Sequence, residues 1–172
     1  MTANPGKVPR RASRARSGCE PQPQATGDEK APRPAMRRIL LVKTSSLGDV
    51  IHNLPVVSDI RRAYPDAVID WVVERSFASI PAMHPGVRRV IGCELRKWRR
   101  SWLTRDTRRA WRAFLAELRA ERYDVVIDTQ GLLKSAVIAR SAQGRRVGLD
   151  WQSSREPLRP FYDEVHRIPW AL

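Results

Sequence analysis

Cysteine is scarce in this chain of 172 residues: Cys19 and Cys93 stand far apart, in no metal or redox spacing. That scarcity argues against a disulfide framework and fits a reducing compartment. Long hydrophobic runs are missing as well. No stretch approaches the roughly 18 apolar residues needed to span a bilayer, and the first residues lack the apolar segment of a secretory signal. The chain therefore reads as cytoplasmic. The three histidines, His52, His84 and His166, form no metal-ligand pattern and read as structural or surface groups, with His52 set apart only because it follows Asp49 by one helical turn. Negative charge is in short supply too. Eighteen acidic side chains face 32 Lys and Arg, giving a net charge of +14. Such a surplus implies an anionic partner, whether nucleic acid, a phosphate-rich substrate or an anionic membrane surface, and charge alone does not choose among them.

What is present suffices for one domain with a real core, since a hydrophobic content of 42% is ordinary for a globular protein. Residues 1–35 differ from the remainder. They are rich in Pro, Ala, Ser and Arg, hold no aromatic residue and show no hydrophobic period. Such a segment buries too little apolar area to offset its ordering entropy, so a disordered tail is expected, or a translation start at Met36. Its scattered prolines argue against an amphipathic targeting helix.

From Met36 a strand–helix alternation begins. Arg38–Val42 (RILLV) is a short apolar run of the kind buried on both faces of a sheet. The turn KTSSLG (43–48) follows, and then one helix from Asp49 to about Tyr64, with Ile51, Leu54, Val57 and Ile60 at helical spacing. Strands are expected over 67–73, 87–91, 123–128 and 146–149, and helices over 77–83, 103–121 and 132–142. In the long helix Trp111, Phe114, Leu115 and Leu118 share a face. Strict alternation predicts an α/β domain with a doubly wound parallel sheet over residues 36–172. Ligands in such sheets bind beyond the carboxyl ends of the strands, which points to the turns after Val42 and Asp128.

Four stretches there carry candidate chemistry. The KTSSLGD turn opens a helix, so its amides face a ligand position. Gly48 permits close approach, and Asp49 stands at the mouth of the cleft. The same residues also suit a plain structural role, with Ser45 or Ser46 as N-cap and Asp49 in the first helical turn. The turn is neither G-x-x-x-x-G-K-[ST] nor G-x-G-x-x-G, which argues against a P-loop or a dinucleotide site. RKWRRSW (96–102) sets four cations, Arg96, Lys97, Arg99 and Arg100, beside Trp98 and Trp102. If helical, Arg96, Arg99 and Arg100 share one face and the two indoles another, suited to phosphates or a lipid interface. In DTQGLLKS (128–135) Gly131 allows a tight turn while Gln130 and Lys134 can reach the cleft. DWQSSREP (150–157) offers Arg155 as an anion ligand, or as a surface partner of Glu156.

In series these stretches resemble the heptosyltransferases of glycosyltransferase family 9. The resemblance rests on KTSSLGDVIHNLP (43–55), DWVVE (70–74), the basic-tryptophan stretch, IDTQGLLKSA (127–136) and DWQSSREP, in order from Met36 to about Trp170. Each motif is weak alone; their succession is specific. KTSS and DWQSSREP favour the first of the family's lipopolysaccharide heptosyltransferase groups over the second.

The resemblance implies a Rossmann-like acceptor domain, the amino-terminal half of a two-domain GT-B enzyme whose nucleotide-sugar domain lies beyond Leu172. It implies inverting transfer of heptose from ADP-heptose to Kdo2-lipid A, with no metal and no other cofactor. Asp49 stands where the family places its general base, Ser45, Ser46 and Gly48 stand near the reacting sugar, and Arg96, Lys97, Arg99, Arg100, Gln130, Lys134 and Arg155 stand on the acceptor side. The helix N-terminus should weaken Asp49 as a base, and desolvation on domain closure should act the other way. The expected setting is peripheral, on the inner face of an anionic inner membrane. Two alternatives stay open at this level: a non-catalytic remnant of such an enzyme, and a basic nucleic-acid-binding module. The second should show aromatics on an exposed sheet or a helix-turn-helix, neither of which the pattern suggests.

Overall fold

A run of β-branched and leucine side chains with no polar alternation belongs at the centre of a parallel sheet, and Arg38–Val42 takes that place as β1. A computed structural model describes residue 2 and residues 36–150, 152–154 and 156–168. The expectation for residues 1–35 therefore falls, apart from Thr2, outside the described residues. After β1 come α1 (Leu47–His52), α2 (Leu54–Ala63), β2 (Val68–Glu74), a 3₁₀ turn (Arg75–Phe77), α3 (Ser79–Ala82) and β3 (Val87–Cys93). Then follow α4 (Leu95–Arg100), α5 (Arg105–Arg119), β4 (Arg122–Asp128), α6 (Leu133–Ser141), β5 (Gln143–Leu149), a second 3₁₀ turn (Arg159–Phe161) and β6 (Glu164–His166).

All five strand pairings are parallel, in the order β3-β2-β1-β4-β5-β6. Strand β1 pairs with β2 on one side and β4 on the other, so the order reverses there. The period of two along β1 feeds both faces of the sheet. Ile39 and Leu41 join Val50, Val57, Ile69 and Trp71 in one core, under α1 and α2. Leu40 and Val42 join Trp98, Phe114, Leu118 and Ile138 in the other, under α4, α5 and α6. Helices on opposite faces either side of the reversal are what a constant crossover hand requires. Burying each such Leu or Ile contributes about 1.5–3 kcal/mol, so β1 alone anchors both layers.

Several expectations are corrected. The single helix from Asp49 to Tyr64 is two, broken at Asn53, which ends α1 and starts α2. Pro55 is the cause: it sits in the first turn of α2, lacks an N–H, and in an unbroken helix its ring would strike the carbonyl of Ile51. The expected helix over 77–83 is a 3₁₀ turn followed by the four-residue α3. Trp98 and Trp102 do not share an exposed face. Trp98 is 7% exposed and packs edge-on to Trp111 and near Phe114, with ring centroids 5.3 and 5.4 Å away. Trp102 lies past the end of α4 and is 66% exposed. The last strand is not β5, because β6 adds to the sheet edge through Asp163, which holds Arg146 by two side-chain bonds of 2.8 and 2.6 Å.

Two acidic residues of the DWVVE stretch serve the fold. Asp70, fully buried in β2, accepts from both guanidinium groups of Arg88 and Arg89 and from the Tyr123 hydroxyl, at 2.7–3.2 Å. Burial works to raise its pKa, but the bonds from Arg88 and Tyr123 and the charge of Arg89 prevail and hold it below the ordinary value. One carboxylate thus ties β2 to β3 and β4.

Candidate active site

The carboxyl ends of β1 and β4, either side of the point where the strand order reverses, carry the two turns that build the site. After β1, the amide of Thr44 donates to Gln130 Oε1 at 2.7 Å and its hydroxyl donates to the same atom at 2.6 Å. Gln130 Nε2 donates to Ser45 Oγ at 3.3 Å, and Lys134 Nζ donates to Ser45 Oγ at 2.7 Å. Lys43 Nζ reaches the carbonyl of Thr129 at 3.2 Å. The KTSS turn is therefore clamped to the DTQG turn by side chains from both. Thr44 and Ser45 are buried by this clamp, and the Ser45–Ser46 peptide bond is cis.

Asp128 shapes the second turn. Its Oδ1 accepts from the amides of Gln130 and Gly131 at 2.8 and 3.3 Å, and its Oδ2 accepts from the Tyr162 hydroxyl at 2.7 Å. Burial pushes its carboxyl above the ordinary value, and those bonds offset the push only in part. Gly131 sits at φ +65°, where a side chain would be strained. Tyr162 can reach Asp128 because its ring lies against Gly148, where a Cβ would come within 2.5 Å.

Asp49 lies in the first turn of α1 and is exposed. Its Oδ2 accepts from the Ser46 amide at 2.8 Å and from the Ser46 hydroxyl at 3.0 Å. Those bonds hold the carboxylate against the turn that also presents Ser45, on the solvent side, with exposed Gly48 beside it.

The wall facing this turn comes from α4, the loop after it and α5. A cleft of about 650 Å³ is lined by Ser45 and Lys134 on one side and by Arg96, Arg99, Arg100, Trp98, Trp102 and Trp111 on the other, with Glu74 and Leu95. Glu74, buried at the end of β2, accepts from the amides of Leu95 and Arg96 at 3.2 and 3.4 Å and so fixes the start of α4. Arg96 also lies over the Phe77 ring, 5.8 Å from its centroid.

Of the residues proposed from sequence, Ser45, Arg96, Arg99, Arg100 and Lys134 meet in this cleft. Lys97 lines an adjoining depression with Arg75 and Ser76 and pairs with Glu94 at 3.8 Å. Gln130 is engaged within the clamp and is not among the lining residues. Ser46, Gly48 and Asp49 stand on the next residues of the turn rather than in the lining. Arg155 lies outside the described residues. Sequence reasoning missed Glu74 as part of the wall, and it named Trp98 there but put it on a shared face with Trp102. An acidic residue closing a buried strand, DWVVE, was the available signal for the first. The burial of Trp98 was legible only as its place in a helix too short to carry a pattern. Among the described residues no group of three or more His, Cys, Asp or Glu could hold a metal ion, and no helix is long and apolar enough to cross a membrane.

Comparison with known proteins gives this arrangement its context. Residues 111–172 match the family model described as glycosyltransferase family 9 (heptosyltransferase). The chain is 49% identical over 133 residues to lipopolysaccharide heptosyltransferase 1 of Escherichia coli strain K12, a match covering 76% of this chain and 42% of that protein. It is 50% identical over 136 residues to the protein of the same name from Pseudomonas aeruginosa, covering 78% and 38%. The chain thus spans less than half the length of these relatives. Among solved structures, E. coli heptosyltransferase WaaC with ADP-2-deoxy-2-fluoro heptose superposes with a TM-score of 0.75 at 46% identity, over 78% of this chain and 44% of that one. E. coli ADP-heptose lps heptosyltransferase II, at 20% identity and a TM-score of 0.58 over 77% of this chain and 35% of that one, shares the fold. By sequence and fold together, the chain is similar to part of the heptosyltransferases of glycosyltransferase family 9.

Proposed function

We propose that this chain provides the acceptor side of an inverting transferase that moves heptose from ADP-heptose to a Kdo hydroxyl of Kdo2-lipid A. Asp49 is the general base. Its carboxylate takes the proton of the attacking hydroxyl as that oxygen bonds to the anomeric carbon, while the bond from that carbon to the diphosphate breaks and ADP leaves with the electron pair. One displacement inverts the anomeric centre and needs one base, opposite the leaving group. Arg96, Lys97, Arg99, Arg100 and Arg155 hold the carboxylates and phosphates of the acceptor. Lys134 and Gln130 hold the serine turn, which keeps Ser45, Ser46 and Gly48 beside the reacting sugar. No metal or other cofactor takes part. The reaction runs at the inner face of the inner membrane, and it requires a nucleotide-sugar domain in addition to this one.

The observation that carries this reading is the cleft itself. Three arginines and Lys134 line one concavity at the carboxyl ends of the strands, and the carboxylate of Asp49 is pinned to the turn that forms its edge. Cations there suit an acidic sugar, and an exposed carboxylate on a clamped turn suits a proton acceptor that must keep its position. The test supplies ADP-heptose and a delipidated Kdo2 acceptor to a protein with the second domain present and to the 172-residue chain. The first should form a heptosyl-Kdo2 product of inverted configuration. The second should form none. A retained configuration, or no product from the longer protein, would overturn the reading.

A further inference from the structure

The loop between α4 and α5 exposes two large apolar side chains in succession, Trp102 at 66% and Leu103 at 63%. Neither is needed by the core, whose aromatic members here are Trp98, Trp111 and Phe114. An apolar patch rimmed by polar residues marks an interaction site, as lone exposed side chains do not. Its surroundings say which. Arg105, Arg108, Arg109 and Arg112 fall at helical spacing on one exposed side of α5, and none forms an ion pair within the described residues. Trp102 shares a shallow apolar depression with Arg108, Arg112 and Trp111, and on its other side it edges the candidate active-site cleft. An apolar tip, flanked by unneutralised arginines and continuous with the cleft, is a single surface.

We propose that this surface docks onto an anionic phospholipid bilayer, with Trp102 and Leu103 seated among the headgroups and Arg105, Arg108, Arg109 and Arg112 on the phosphates. Indole is suited to the boundary between headgroup and acyl chain, and arginine to bidentate contact with phosphate. Each basic residue near such a surface adds about 1 kcal/mol, and the apolar pair adds a part that salt does not screen. The inference rests on the proposed function in one respect: a lipid-anchored acceptor would be delivered directly to a cleft that opens beside the docked loop. Binding to lipid does not itself require transfer, so the two readings fail separately.

The experiment measures binding of the full chain to vesicles of phosphatidylcholine alone and of phosphatidylcholine mixed with phosphatidylglycerol. Tryptophan quenching by lipids brominated high on the acyl chain is followed at the same time. The wild type should bind the mixed vesicles and show quenching that Trp102→Phe removes. The double change Arg108→Ala and Arg112→Ala should weaken binding about 30-fold, from roughly 1 kcal/mol per arginine. The same loss of charge at Arg37 and Arg122, at the amino ends of β1 and β4, should stay within about threefold, since these sit at the opposite ends of the strands from the cleft that Trp102 edges. In a protein with its second domain, the Arg108/Arg112 variant should retain transfer to a delipidated acceptor and lose it on vesicle-borne acceptor. Equal losses from both arginine pairs, or quenching unchanged by Trp102→Phe, would reduce the binding to unspecific charge and overturn the proposal. Tighter binding to an oligonucleotide than to the mixed vesicles, lost in the Arg108/Arg112 variant, would assign the surface to nucleic acid and overturn it equally. Vesicle binding as described without transfer to any acceptor would leave the docking in place and remove the proposed reaction.

Discussion

Lys134 and Ser45 lie 89 residues apart in sequence, yet the ammonium of one donates to the hydroxyl of the other at 2.7 Å. The bond closes the turn after β1 onto the turn after β4, across the point where the strand order reverses. Ser45 also receives Gln130 Nε2, so its hydroxyl is held from two directions. The turn that carries Asp49 is therefore positioned from the neighbouring strand rather than by its own short helix. Lys134→Met should loosen it. A hydrogen bond to a charged group contributes about 1.5–3 kcal/mol, so amide exchange at Thr44–Ser46 should speed up about tenfold or more while the core strands keep their protection. Unchanged exchange in that turn would show that the bonds of Gln130 and Lys43 hold it without Lys134.

Glu74 plays a comparable part for the basic wall. Its buried carboxylate accepts from the first two amides of α4, and α4 carries Arg96, Arg99 and Arg100. Glu74→Ala would leave those donors without a partner, at about 1–3 kcal/mol. In a protein with the second domain present, KM for the acceptor should rise well before kcat falls, because in the proposed reaction the arginines bind anions and do not move protons. Glu74→Gln, which keeps a carbonyl oxygen, should recover part of the loss. A fall in kcat at unchanged KM would place Glu74 in the chemistry instead.

Asp70 predicts an acid-sensitive fold. Its pKa is held below the ordinary 3.8 in the folded chain, so the stability it contributes is present above that value and is lost as pH falls through the lowered one. Asp70→Asn should lower the stability of the chain at neutral pH. Removing one partner of a buried ion pair costs ~3–5 kcal/mol, and the low end applies because Arg88 and Arg89 are partly solvated. Urea unfolding between neutral pH and pH about 2 checks both points. The variant should start less stable and lose less on acidification below the ordinary carboxylate range. Parallel curves for the two proteins would assign the acid sensitivity elsewhere.

The strands were the most legible part of this molecule, and for a physical reason. A parallel strand buried on both faces must be apolar throughout, so RILLV marks Arg38–Val42 without ambiguity, and the other strand cores follow to within a few residues. The reversal at β1 then places the site at two identifiable turns. Harder to read were features set by tertiary contact. Asn53 breaks a helix whose apolar spacing runs straight through it, and the spacing outweighed Pro55. Strand β6, three residues long, exists because β5 offers an edge and Asp163 holds Arg146. In RKWRRSW the two indoles carry the same local pattern, yet one fills the core and the other faces out. Only the length of α4, ending at Arg100, separates them. Nor did composition distinguish the acids that organise the fold, Asp70, Glu74 and Asp128, from Asp49, which is exposed.

That exposure makes Asp49 the decisive residue. It accepts from the Ser46 amide and hydroxyl, contacts that orient a carboxylate without burying it. Asp49→Asn keeps an oxygen for the Ser46 amide, so the turn and the fold should be preserved, and thermal unfolding should differ little from the wild type. The amide cannot accept a proton at neutral pH. Base catalysis is worth about 10²–10⁴-fold, and kcat in a protein that carries the second domain should fall by that much while the acceptor still binds. Arg96→Ala should do the reverse, raising KM for the acceptor with a smaller effect on kcat, and Arg155→Ala should follow Arg96. Steady-state rates with ADP-heptose and a delipidated Kdo2 acceptor separate the two patterns. Near-normal kcat in the Asp49→Asn variant would remove Asp49 from the mechanism, and the proton would then have to leave by a group outside this turn.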